Sequence, residues 1–187
     1  MKPWLLNILA CPIDKHHPLR AYFFCWETSE EEMQKLVTEI GLFKERFKKN
    51  SRNLAKQLID GTISPQAIRV IEDRSASKYS KLIFSEALKS LDKIEAVKNK
   101  SEDLLLKSFQ SELNILNCFL NLVEVESGLL VCSKCERWYP IGSSVKTIPE
   151  LLPDDLREKD KDAAWLSRWQ KLIPVNVIEN GRPFNLK

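Results

Sequence analysis

The chain has 187 residues, 43% of them apolar and 29% charged, enough to bury a sizeable core in one or two compact units. Its 29 basic and 26 acidic residues leave a formal charge of +3, which excludes the strong electrostatic footprint of an autonomous nucleic-acid-binding protein. No apolar run approaches the roughly 20 residues of a membrane span, no Gly-rich phosphate fingerprint occurs among only five glycines, and an odd count of five cysteines without a secretory signal in MKPWLLNILACP points to a reduced, cytoplasmic chain.

Trp4, Leu5, Leu6, Ile8 and Leu9 form an opening apolar segment. A proline-flanked turn follows at Pro12 to Pro18, and Leu19 to Trp26 reads as a strand, so the first 28 residues supply half of a small sheet. From Ser29 the character changes: Ser29-Glu30-Glu31-Glu32 is a capping-box start, and Met33, Leu36, Val37, Ile40, Phe43 and Phe47 recur at the spacing of a long helix. Ser64-Pro65 opens another helix. Ser75 to Lys100 carries Leu82, Ile83, Leu88, Leu91 and Ile94 at three-to-four spacing, and Ser101-Glu102-Asp103 begins a further one.

At Val123 the period switches to two, and Val123 to Val131, with a turn at Ser127-Gly128, reads as a hairpin that delivers Cys132. Trp138 to Gly142 follows as a strand and Ile148 to Pro153 as an extended apolar segment. Asp162 to Leu172 is a last helix that sets Trp165 and Trp169 four apart, and the tail from Val175 to Lys187 has no helical period. The expected class is α+β. A small zinc-ribbon-like sheet is built from 1–28 and 123–153, a helical insert spans 29–122, and a C-terminal helix and tail occupy 154–187.

Soft metal ligands stand at both ends. Cys132-Ser133-Lys134-Cys135 puts two thiolates on one turn, which suits one edge of a tetrahedral site with Zn–S bonds of about 2.3 Å. Cys11 offers a third thiolate, followed by His16 and His17, while Asp14 stands where the second cysteine of a CxxC would fall. The pattern predicts a structural zinc site of Cys11, Cys132, Cys135 and a fourth ligand, for which His16, His17, Asp14 and Cys25 compete. Cys25 reads as core and Cys118 as a buried apolar residue. Two free thiols, or a redox dithiol with a depressed thiol pKa, are the alternatives. Bringing the two ends together costs roughly 4 kcal/mol of loop-closure entropy for a flexible connection. Zinc outweighs this at about 10–16 kcal/mol in peptide sites.

The opening MKPWLLNILACP and the later SGLLVCSKCERWYPIGSSVKTIPELLP resemble the small zinc-ribbon activator subunit of tRNA, ribosomal-RNA and release-factor methyltransferases, the tRNA methyltransferase 112 family. The resemblance covers roughly 1–25 and 125–153, with the same order of ribbon half, insert, ribbon half. It implies zinc held at Cys11, Cys132 and Cys135, with the fourth ligand on His16 in place of the family's cysteine. It also implies a non-catalytic partner that pairs a sheet edge with an S-adenosylmethionine-dependent methyltransferase, covers an apolar patch on it, and meets tRNA only through that enzyme. The insert is longer than usual, and the extension past Pro153 lies outside the core motif.

The residues agree on the negative side, since two histidines and no Ser/His/Asp or paired-carboxylate arrangement offer no catalytic constellation. A ribbon too small to bury Trp138, Tyr139, Ile141, Ile148, Leu151 and Leu152 would show an apolar strip beside an open strand edge over 137–152. Such an edge is a surface for a partner. Among the basic residues of the insert, Lys48, Lys49 and Arg52 are the candidates for RNA contact, against the plainer reading of a solvated helix face. Trp165 and Trp169 read as packing. The alternative function is a free-standing zinc-ribbon nucleic-acid-binding protein of transcription or translation, which would want a concentrated basic face.

Overall fold

The computed structural model describes residues 1–39, 48–97 and 100–187, the side chains of Lys48 and Lys49 excepted. The expected helical positions Ile40, Phe43 and Phe47 lie outside the described residues. Strands β1 (Arg20–Trp26), β2 (Ile71–Asp73), β3 (Val125–Val131) and β4 (Trp138–Ile141) form one mixed sheet in the order β2-β1-β3-β4. β1 and β3 run antiparallel through the centre, with Ala21 opposite Leu130 and Tyr22 opposite Leu129, which joins the two ends of the chain as the ribbon reading requires.

The helices follow the sequence signals closely. α1 (Glu30–Glu39) begins with the reciprocal capping box: Glu32 N donates to Ser29 Oγ at 3.2 Å, and Ser29 N donates to the Glu32 carboxylate at 3.0 Å. α2 (Lys48–Ile59) and α3 (Pro65–Arg69) come next, the latter with proline in its first turn. α4 (Lys78–Glu95) is capped by Ser77, whose hydroxyl accepts from Ser80 N at 3.0 Å, and α5 (Glu102–Ser108) by Ser101. α6 (Gln110–Asn117) runs into a π-helical turn at Cys118–Leu122. α7 (Lys159–Trp169) is the tryptophan helix, and α8 (Val175–Asn180) forms in the tail, where six residues are too few to show a period.

Two expectations are corrected. The insert is not wholly helical: Ile71–Asp73 leaves it to pair in parallel with Ala21–Phe23, a strand of three residues that carries no readable alternation. Ser127-Gly128 is not a turn. Both residues lie inside β3, at the stretch where the β1–β3 register shifts. Gly128 is needed because a Cβ there would stand 2.6 Å from the Tyr22 carbonyl oxygen of the neighbouring strand. The hairpin is instead β3–β4, and its turn is the Cys132–Cys135 loop.

Alternation along the strands splits the core in two. Ala21, Phe23, Leu130 and Tyr139 join Met33, Leu54, Ile68, Ile83, Leu105 and Leu116 from α1 to α6 in one cluster. Tyr22, Phe24, Leu129, Val131 and Trp138 face the other way, onto Trp165, Leu166, Ile173 and Val177. No described helix is long and apolar enough to cross a membrane.

Candidate metal centre and partner surface

Two six-residue loops with the same backbone meet at one end of the sheet. In the first, Cys11 N donates to His16 O at 3.0 Å, Lys15 N donates to Cys11 O at 2.9 Å, and Lys15 is left-handed with φ 59°. In the second, Cys132 N donates to Arg137 O at 2.8 Å, Glu136 N donates to Cys132 O at 2.9 Å, and Glu136 has φ 60°. Laid on each other, Cys11 matches Cys132, Asp14 matches Cys135, and His16 matches Arg137. The repeated turn therefore aims residue 14, not residue 16, at the opposite pair.

The donor atoms of Cys11, Asp14, Cys132 and Cys135 all lie within 4.8 Å of one another. The Cys11 and Cys135 sulfurs are 3.7 Å apart, and the Cys132 sulfur lies 3.5 and 3.6 Å from the Asp14 carboxylate oxygens. A tetrahedral ion with Zn–S bonds of about 2.3 Å and a Zn–O bond of about 2.1 Å has edges of about 3.7 and 3.6 Å. The donor set fits zinc in both chemistry and spacing.

His16, the expected fourth ligand, sits outside this cluster. Its Nε2 is 2.8 Å from Ser133 Oγ, and its backbone N–H donates to Asp14 Oδ1 at 3.0 Å, so it braces both loops. His17 Nδ1 lies 3.1 Å from Leu9 O. Cys25 is half-buried in β1 and Cys118 is buried in the insert core.

The electrostatics are compatible with a bound cation. Burial pushes the Cys132 thiol up to about 12, the opposite of the depressed thiol that redox chemistry would need. Burial also opposes ionisation of Cys11, but the Tyr139 hydroxyl 3.2 Å away and nearby backbone N–H groups outweigh it and hold that thiol below its ordinary value. Desolvation works against the Asp14 carboxylate, yet the His16 N–H and the surrounding thiols keep it at about 2. Three thiols beside a carboxylate cannot all ionise in so small a space unless a metal compensates them. Arg137, gripped by Asp154 through 3.0 and 2.8 Å hydrogen bonds and stabilised further by Cys135, adds positive charge at the rim.

A family model described as Trm112p-like protein matches residues 2–142, three quarters of the chain and both loops of the cluster. The chain belongs to the Trm112p-like family. No curated protein and no solved structure matches it. Membership supports a methyltransferase-activator role in general, with tRNA modification as its setting.

The Trm112p-like sheet does not present the open strip read from the sequence. Trp138, Tyr139 and Ile141 are buried within the chain itself: Trp138 beneath α7, Tyr139 behind Cys11, and Ile141 in the insert-side core. The β4 edge is also taken. Trp138 N donates to Arg182 O at 3.1 Å, Trp138 O accepts from Arg157, Pro140 has no N–H, and Pro140 O accepts from Glu150 N at 2.9 Å. The reason is the C-terminal segment, which returns to the sheet across a distance that no local pattern reveals. Leu151 packs half-buried against the insert-side core, whereas Ile148 is 50% and Leu152 40% exposed. Val145 and Leu156 are exposed beside them in sequence, and Leu152 and Leu156 line one small cleft with Pro140.

Of the RNA candidates, Arg52 pairs with Glu102 at 3.0 Å, and the side chains of Lys48 and Lys49 lie outside the described residues. Trp165 stacks on Trp138 with centroids 5.7 Å apart and planes 14° apart, and Trp169 lies 5.3 Å from Phe24. Both rings are packed on the sheet, which leaves no free stacking platform there.

Proposed function

We propose that the chain is a non-catalytic activating subunit of S-adenosylmethionine-dependent methyltransferases that act on tRNA, and on ribosomal RNA or release factor through alternative partners. The observation that carries this reading is the Trm112p-like match over residues 2–142, which spans the sheet and both loops of the metal centre. Zinc held by Cys11, Asp14, Cys132 and Cys135 fastens the two ends of the chain and so fixes β3 and β4. The partner's strand reaches the β4 edge by displacing segments of the chain that occupy it in the free subunit. Its apolar surface covers Ile148 and Leu152, whose exposure makes them the anchors of the docking strip.

The test begins with tagged full-length chain purified from its native cells, mass spectrometry of what accompanies it, and reconstitution with the purified methyltransferase. Methyl transfer to tRNA should require the subunit, and Ile148→Asp should weaken the complex at least about tenfold, the loss of roughly 1.4 kcal/mol. Undiminished complex in a folded Ile148→Asp chain would rule out this surface, and failure to find any methyltransferase would rule out the function. Metal analysis by mass spectrometry should give one zinc per chain, lost in Asp14→Ala and kept in His16→Ala. The reverse pattern would restore His16 as the ligand.

A further inference from the structure

The part of the chain that the family model leaves out is not an appendage. Beyond residue 142 the chain lays α7 and α8 over the second face of the sheet and then runs past the β4 edge as a terminal strap, residues 181–187. The strap meets β4 through the main chain. Arg137 and Arg182 form a parallel bridge, Trp138 N donates to Arg182 O at 3.1 Å, Arg182 N donates to Glu136 O at 3.1 Å, and Trp138 Nε1 donates to Phe184 O at 2.8 Å. Arg182 and Lys187 are exposed and residues 183–186 are only half-buried, so little side-chain burial holds the strap down. Any extended strand could supply the main-chain half of these bonds. Pro183, lacking an N–H, keeps the strap from extending the ladder outward.

We propose that residues 181–187 are a stand-in strand that guards the Glu136–Trp138 end of the β4 edge in the free chain and is exchanged there for an extended strand of the methyltransferase on complex formation. The proposal rests on the methyltransferase reading above. The exchange swaps one set of main-chain hydrogen bonds for an equivalent set, leaves α7 in place on Trp138, and makes the partner's apparent affinity proportional to the fraction of chains whose strap is open. It also keeps that end of the edge, where Trp138 N would otherwise be unpaired, closed until the partner arrives.

The strap has a natural lever at Gly181. A Cβ there would run into the Val177 carbonyl oxygen and stand 2.9 Å from Trp138 Cδ1, so Gly181→Ala wedges the strap off the edge. Leu186→Ser is a milder second variant, because Leu186 packs half-buried against the second cluster. Both are made in the full-length chain, and two quantities are read. These are amide hydrogen exchange at Trp138 and Arg182, and affinity for the methyltransferase identified with the wild-type chain. Faster exchange at both amides with affinity raised about tenfold, as expected for a strap open in about one chain in ten, supports the exchange. Faster exchange with unchanged or weakened affinity overturns it while leaving the partner reading intact. Unchanged exchange in both variants also overturns it, since the strap would then not be a separable element. Wild-type chain and variants that all fail to bind the methyltransferase would overturn the partner reading itself, and this proposal with it.

Discussion

The face of the sheet that carries Ala21, Phe23 and Leu130 looks onto α1 to α6, whereas the face that carries Tyr22, Phe24, Leu129 and Trp138 looks onto α7, α8 and the chain that links and follows them. The helical layer on the first face is tied by a polar network between α2 and α6 as well as by apolar contact. Ser51 Oγ donates to Asn114 Oδ1 at 3.1 Å, and Gln110 Nε2 reaches both, at 2.8 and 2.9 Å. The second face satisfies its buried polar atoms less completely. Among the described residues, three of the four buried side-chain polar atoms without a hydrogen-bond partner belong to it: Arg157 Nη2, Asp162 Oδ2 and Trp165 Nε1. Arg157 and Asp162 sit 2.8 Å apart as an ion pair without hydrogen-bond alignment, and the Arg157 guanidinium lies 4.1 Å over the Trp138 ring. Specific satisfaction marks the family-matched face, and aromatic bulk marks the added one.

The largest expected effect tests what the two faces share. Cys132→Ser, or removal of zinc by a chelator, should cost at least about 5 kcal/mol and lower the melting temperature by roughly 10–20 °C, read by circular dichroism. An unchanged melting curve would mean that packing alone closes the metal end. Next, Trp165→Ala should cost about 3–5 kcal/mol in urea unfolding, because it removes the ring that stacks on Trp138. Ser51→Ala should cost about 0.5–1.5 kcal/mol, because it removes two bonds while Gln110 and Asn114 keep the one between them. Trp165→Phe keeps most of the ring and deletes the unpartnered N–H, so it should cost less than about 1.5 kcal/mol. If it proved as damaging as the alanine variant, the contrast between the faces would fail.

The smallest effect is acidic. The Arg137 guanidinium beside Asp154 holds its carboxyl below the ordinary value of 3.8. A carboxyl depressed in the folded state stabilises it above that value, and the contribution is lost as pH falls through the folded pKa. Asp154 is 37% exposed, so the contribution stays below about 1 kcal/mol, and Asp154→Asn should flatten the stability profile below pH 4 by that amount.

Local signals in the sequence were faithful wherever the structure is local. The capping boxes, Ser64-Pro65, the Cys132–Cys135 turn and the α4 periodicity all describe contacts within a few residues. Three donors of the candidate metal cluster are legible in the sequence, and the fourth is ambiguous. Asp14 occupies the CxxC position by count, and the left-handed Lys15 and Glu136, which make the two loops superimposable, bring its carboxylate rather than the His16 ring to the three thiols. Ser127-Gly128 looked like a turn because glycine is common in turns, while its actual reason is the close passage of β1, a neighbour far away in sequence. Trp138, Tyr139 and Ile141 look like surface for the same cause: their cover comes from α7, from Cys11 and from the insert.

The pairing of β1 with β3 also sets a timetable for synthesis. β1 leaves the ribosome early, yet its antiparallel mate lies beyond the whole insert. At about 5–20 residues per second, translation leaves that side of β1 waiting on the order of ten seconds. β2, made halfway through, is the strand neighbour of β1 that is synthesised first, and it pairs in parallel on the opposite side.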